Sequence, residues 1–195
     1  CSAAGVSKPA YFLIWEGPFL VKNLAWDDMQ TPSVKDASSG RREASLISEE
    51  VLKHHKEVGA IHFAITDRLI NGSLKSFKDF NQEMVNLKNT VPTLHNFSYN
   101  GMFIIRDKKS HNESFFALMK DAGCDSLSIG VETGSDRLRS EMNKNFTNKD
   151  LDHHLEMCSK YQITNLLLMF TGYPTETYQD HLDTLNMLKK YFLIL

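Results

Sequence analysis

The feature that most constrains the fold is a repeated alternation. From residue 46 onward, apolar residues recur first with period two and then with helical period. This happens about four times, with strand starts roughly 30 to 40 residues apart. That is the spacing of βα units, which build parallel sheets and barrels. Strands are predicted over residues 61–65, more weakly over 95–99, and over 127–131 and 165–170. The last is a nearly continuous apolar run, as expected of a parallel strand covered on both faces. Ser48 can cap a helix carrying Val51, Leu52, His55 and Val58, stopped by Gly59. Phe77, Phe80, Met84 and Leu87 mark a second helix. Asn112 can cap a third, with Phe115, Leu118, Met119 and Ala122 inward and Gly123 closing it. Thr147 or Asn148 can cap a fourth, with Leu151, Leu155 and Cys158 on one face. A last helix is predicted to bury Tyr178, Leu182, Leu185 and Leu188.

Two divisions follow. Residues 1–45 form an irregular segment, in which 11–15 can make a short strand and the Arg41-Arg42 pair either ends a loop or contacts an anion. Residues 46–195 carry the central βα units. The 195 residues are 42% hydrophobic with a net charge of -2, enough for one sizeable core and too balanced for a dedicated nucleic-acid surface. No apolar run reaches the roughly 18 residues a membrane span needs. Three cysteines at wide spacing form no disulfide framework, so a cytoplasmic setting is expected. The chain opens at Cys1 and stops within an apolar stretch at 191–195, so it is expected to be a fragment of a longer protein.

If the sheet is parallel, its strand C-termini share one edge. That edge collects Thr66-Asp67 with Asn71, Tyr99-Asn100, Glu132 with Ser135, and Thr171-Gly172 with Pro174. Gly134 and Gly172 would let a ligand approach the backbone. Such an edge can grip a polar small molecule. From the residues alone, Glu132 is either a solvated strand end or a site carboxylate. The pairs His54-His55 and His153-His154 point about 100° apart on helices, so neither chelates a metal. They are expected at the surface or its boundary, and Cys124 and Cys158 in the core.

Several segments, in order and at about the family's spacing, carry a resemblance. They are the eleven-residue stretch beginning Phe63-Ala64-Ile65-Thr66-Asp67, then Ala122-Gly123-Cys124, Ile129-Gly130-Val131-Glu132-Thr133-Gly134-Ser135, Met142-Asn143-Lys144 and Gly172-Tyr173-Pro174-Thr175-Glu176-Thr177. Together they resemble the radical S-adenosylmethionine (SAM) enzymes, in particular the branch that often carries a cobalamin-binding domain. The resemblance implies an α/β fold, a partial and incomplete parallel (β/α) barrel. It implies a parent enzyme in which a 4Fe–4S cluster reduces SAM to give a 5′-deoxyadenosyl radical. In that branch cobalamin serves methyl transfer or rearrangement. It further implies a flavodoxin- or ferredoxin-like electron donor and a substrate the residues leave unnamed. By the same analogy Asp67, Asn100, Gly130, Glu132, Ser135, Lys144, Gly172 and Pro174 surround SAM, with Lys144 toward its carboxylate.

One departure matters: no Cys-x3-Cys-x2-Cys loop occurs. Cys1 is either the last cluster ligand of a loop lying upstream or the mark of a degenerate protein. Two other functions therefore stand beside the enzyme: a cluster-less module binding SAM or a partner, and an unrelated barrel enzyme using Asp67 and Glu132 as acid and base.

Overall fold

The structure, a computed structural model, describes residues 11–13, 43–66 and 68–192. The elements are β1 (Tyr11–Leu13), α1 (Ala44–Val58), β2 (His62–Ile65), α2 (Leu74–Thr90), a 3-10 turn (Pro92–Leu94) and β3 (Ser98–Phe103). After them come α3 (Glu113–Ala122), β4 (Cys124–Glu132), α4 (Asp136–Glu141), α5 (Asn148–Lys160), β5 (Thr164–Met169) and α6 (Tyr178–Phe192). They fall into two compact units. The first runs to Met102 and includes Asp121–Cys124. The second holds Phe103–Lys120 and the chain from Asp125 on.

In the first unit β1, β2 and β3 pair in parallel, with Tyr11 opposite Phe63 and Ala64 opposite Asn100. Phe63 and Ile65 alternate inward as predicted. The core is aromatic: Phe80 meets the Tyr99 ring edge-on at 5.2 Å, and Phe63 lies 5.5 Å from Phe97. Burying each such ring contributes about 1.5–3 kcal/mol. The buried Tyr99 hydroxyl donates to Asn81 Oδ1 at 2.5 Å, and Asn81 Nδ2 donates to the Phe77 carbonyl at 2.7 Å, so neither polar group is stranded.

Two readings of this unit need correction. The first helix starts at Ala44, one turn before Ser48, because Ile47 joins Val51 in the core; Val58 is exposed. Ser48 sits inside the helix and donates to the Ser45 carbonyl. The weak strand also lies further on. Residues 95–97 follow the 3-10 turn, and Asn100-Gly101 stand inside β3 rather than after it. Gly101 is there for closeness, not for a turn: a Cβ would lie 2.6 Å from Ile70 Cγ2 and 3.2 Å from the Ile65 carbonyl oxygen.

In the second unit β4 and β5 pair in parallel, Ser128 opposite Leu166 and Gly130 opposite Leu168. Leu127, Ile129 and Val131 are buried, as their alternation predicts. Asn112 Oδ1 accepts the Phe115 N–H, and Thr147 with Asp150 forms a reciprocal capping box at α5. Three readings fail here. Among the described residues β5 is not covered on both faces, since Leu166 and Leu168 are exposed, as is Phe170 just after it. The inward face of α6 is Asp180, Thr184 and Met187, while Tyr178 is 78% exposed and Leu185 is exposed too. His154 is buried, not at the boundary.

The α6 face explains itself at Gly134. A Cβ on Gly134 would lie 2.5 Å from Thr184 Cα, 2.7 Å from the Asp183 carbonyl oxygen and 2.9 Å from Thr184 N, all backbone atoms that cannot step aside. The turn after β4 thus packs directly on α6 through residues small enough to allow it. Gly134→Ala is expected to cost about 3 kcal/mol, the upper end of overpacking penalties, read as a lowered thermal midpoint.

Candidate functional site

β4 ends in an unusual backbone. Gly130 pairs with Leu168 and Glu132 with Met169, so Val131 is an extra residue in the ladder, a bulge. Glu132 then turns into the left-handed region at φ 67°, and the Phe170 N–H donates to its carbonyl at 3.0 Å. A non-glycine residue held there costs about 1–3 kcal/mol and survives only where its surroundings fix it. The bulge and the turn together re-aim the Glu132 side chain.

It meets Lys144. The ammonium Nζ donates to Glu132 Oε1 at 2.7 Å and to the Gly130 carbonyl at 3.3 Å. The two side chains are 30% and 20% exposed, so the pair is partly withdrawn from water yet open to a ligand. Lys144 follows Asn143, also left-handed at φ 57°, and its own N–H donates to the Arg139 carbonyl at 2.8 Å. Gly130 leaves the space the pair fills: a Cβ there would lie 2.5 Å from Glu132 Oε1 and 3.1 Å from Lys144 Nζ. A carboxylate and an ammonium side by side, over a bare glycine, can exchange their mutual bond for the two ends of an amino-acid zwitterion.

Of the residues expected around SAM, the structure thus brings Gly130, Glu132 and Lys144 together. Gly172 (φ 87°) and Pro174 lie in the exposed turn after β5, whose last strand residues run beside Glu132. Ser135 has other commitments. Its hydroxyl oxygen accepts the Leu138 N–H as the α4 cap and its hydroxyl donates to Asp180 Oδ1 at 2.5 Å. Asn100 belongs to the first unit, within β3 rather than at its end. Asp67 and Cys1 lie outside the described residues.

Behind the pair stands a polar network that the sequence reading missed. Asp180 accepts from Ser135, from Arg137 Nη2 at 2.5 Å, and from the backbone and hydroxyl of Thr177. The Arg137 guanidinium, aided by Ser135 and Thr177, holds the Asp180 carboxyl far below the usual carboxylate range. Thr184 Oγ1 accepts the Gly134 N–H at 2.8 Å. The network fixes the 133–135 turn against α6. Its available signal was the Thr177-x-x-Asp180 spacing, the same capping pattern as Thr147-x-x-Asp150.

The described cysteines do not fit an iron–sulfur cluster. Cys124 and Cys158 are both buried, and burial pushes the Cys158 thiol up to about 12. Among the described residues no group of three His, Cys, Asp or Glu side chains can hold a metal ion. None of the described helices is long and apolar enough to cross a membrane.

Parallel βα units with a charged pair at a bulged strand end define a parallel α/β protein. More narrowly, it belongs to the radical SAM superfamily, whose pattern matches residues 39–188. A tRNA-2-methylthio-N(6)-dimethylallyladenosine synthase of Sulfurihydrogenibium is 34% identical over 70 residues, covering 34% of this chain and 16% of that protein. The cobalamin- and 4Fe–4S-bound radical SAM methyltransferase TsrM of Kitasatospora setae superposes with a TM-score of 0.73 at 18% identity. That superposition covers 94% of this chain and 35% of TsrM. The cobalamin-dependent radical SAM enzyme OxsB gives a TM-score of 0.63 at 15% identity over 78% of this chain and 23% of its own. The fold is therefore the partial parallel barrel of the radical SAM type, and the chain spans a minor part of each of these relatives. The family also sets aside the unrelated acid–base barrel.

Proposed function

We propose that this chain is the SAM-holding central part of a radical SAM enzyme. The observation that carries the proposal is the Glu132–Lys144 pair over Gly130, on a bulged strand with a left-handed Glu132. Lys144 would take the carboxylate of SAM and Glu132 its ammonium group, while the turn bearing Gly172 and Pro174 would flank the ligand. Bound SAM supplies the 5′-deoxyadenosyl group as the hydrogen-abstracting species on one-electron reduction. This chain's own residues bind and orient it. The described residues supply no cluster ligands, so a 4Fe–4S cluster would be held by other parts of the protein. Cobalamin as a further cofactor rests on the likeness to TsrM and OxsB, and a small ferredoxin- or flavodoxin-like donor would supply the electron. A reducing cytoplasm suits this chemistry, and the near-neutral charge of the chain speaks against a dedicated nucleic-acid surface.

The test is SAM binding and turnover by the intact protein after reconstitution with iron and sulfide. Binding with release of 5′-deoxyadenosine and methionine supports the enzyme. Binding with neither cluster absorbance nor turnover makes the protein a cluster-less SAM-binding module. No binding overturns both. Gly130→Ala probes the same place gently, because the atoms its Cβ meets are the far ends of two flexible side chains. It is expected to leave the thermal midpoint near wild type and to weaken SAM binding about tenfold by displacing the pair.

A further inference from the structure

Arg139 has no exposed surface. Among the described residues the hydrogen bonds of its side chain come from one nitrogen: Nη2 donates to Asp136 Oδ1 at 2.7 Å and to Asn148 Oδ1, and shares one of these N–H groups with the Gly134 carbonyl at 3.4 Å. Its guanidinium carbon lies 4.9 Å from the centre of the Phe146 ring. Nε and Nη1 are buried with no hydrogen-bond partner among the described residues. A buried guanidinium with two unmade bonds is a cost to the fold, which its ion pair with the half-exposed Asp136 offsets only in part. Core packing therefore does not explain an arginine here.

Its contacts do. They divide between the two backbone segments that carry the charged pair. Gly134 follows Glu132 by two residues. Phe146 and Asn148 follow Lys144 by two and four, and the Arg139 carbonyl itself accepts the Lys144 N–H. Asn148 closes the bridge, its Nδ2 donating to the Gly134 carbonyl at 3.0 Å and its N–H to Asp136 Oδ1 at 2.8 Å. We propose that Arg139 is a positioning residue that sets the separation of Glu132 and Lys144, and so the fit of the amino-acid end of SAM. This rests on reading that pair as the SAM-holding site.

Two measurements on the intact protein separate the parts of the claim. The first needs no cofactor: a double-mutant cycle of Glu132→Gln and Lys144→Met by urea denaturation, run in wild type and in Arg139→Met. The coupling seen in wild type is expected to vanish in Arg139→Met, whose own midpoint falls through loss of the Asp136 pair. The second is equilibrium dialysis with SAM. Arg139→Met is expected to weaken binding about tenfold, the size typical of a lost supporting partner, with no further loss when added to Lys144→Met. Coupling retained in the Arg139→Met background overturns the proposal, and so does SAM binding at wild-type strength. A lowered midpoint with coupling intact marks a purely structural residue and overturns it too. If wild type binds no SAM, the proposed function falls and the denaturation cycle alone decides Arg139. Should Arg139→Met not fold, Arg139→Lys keeps the charge without the planar bridge and is expected to show the same loss of coupling; full coupling there refutes the role.

Discussion

Lys144→Met is expected to weaken SAM binding on the order of a hundredfold while the protein stays folded. A charge-assisted hydrogen bond contributes about 1.5–3 kcal/mol, and each 1.4 kcal/mol is tenfold in affinity. Losing the ammonium also leaves the carboxylate of the ligand near Glu132 with no cation from the protein between them, which adds repulsion to the lost bond. The fold has less at stake, because the pair is partly solvated and such pairs contribute little to stability. Glu132→Gln keeps the shape and one acceptor oxygen, so its loss should be smaller. Lys144→Arg keeps the charge and offers a fork suited to a carboxylate, but must fit a larger group beside the Gly130 carbonyl. Equilibrium dialysis of the three variants, each with its thermal midpoint, makes the check. Affinity of Lys144→Met within about threefold of wild type, well short of one tenfold step, would remove the pair from the SAM site.

Much of this place was legible in the sequence. Leu127, Ile129 and Val131 alternate cleanly, and a carboxylate one step beyond an apolar strand stands where parallel α/β folds keep their chemistry. What periodicity could not show was the backbone that turns Glu132 onto Lys144. Bulges and left-handed turns depend on the pairing partner, and β5 contributes that only after folding. The same limit explains β5 itself. An apolar run reports what a strand could bury, not what covers it, and among the described residues the Leu166–Leu168 side stays open. In α6 the leucines misled for a related reason. The surface facing that helix is the turn at Thr133 and Gly134, which is polar and small, so Asp180 and Thr184 turn inward to bond it. Asn100-Gly101 carried a turn signature, yet the glycine serves close packing against Ile70. The short α4 went unread because Ser135 was grouped with Glu132 on the strand edge, though it is that helix's cap.

Mild acid is expected to destabilise the protein sharply between about pH 6.5 and 4.5, through two histidines in the core of the second unit. Both are buried. His111 stacks on Phe115 with ring centres 4.6 Å apart, and His154 lies 5.4 Å from Phe103 and 5.5 Å from Phe116. Burial pushes the His154 pKa down to about 4, opposed by the hydrogen bond that its Nε2 donates to Asn165 Oδ1 and reinforced by His153. Burial likewise pushes His111 down to about 3, reinforced by His154 and Arg106 and opposed by Asp107. Nδ1 of His154 is buried without a partner among the described residues, so a second proton there would meet no acceptor from them. The direction follows from proton binding. The unfolded chain takes up protons near pH 6.5, the folded chain only near 4 and 3, so stability is full above about pH 6.5 and falls as the pH drops through the interval. Each histidine costs about 1.4 kcal/mol per pH unit, so by pH 4.5 the pair costs roughly 5 kcal/mol, comparable to the whole stability of a small domain. Other shifted groups act elsewhere. Asp180, held low, contributes stability that is present above the ordinary carboxylate range and lost only below it. Cys158, pushed up to about 12, matters only above about pH 9. Urea midpoints measured from pH 7.5 to 4.5 should therefore fall steeply in wild type. They should fall about half as steeply in His154→Leu, which removes one of the two titrating groups. A midpoint in wild type that stays flat across that range would mean the two rings are already solvated, and the packing of this core would have to be redrawn.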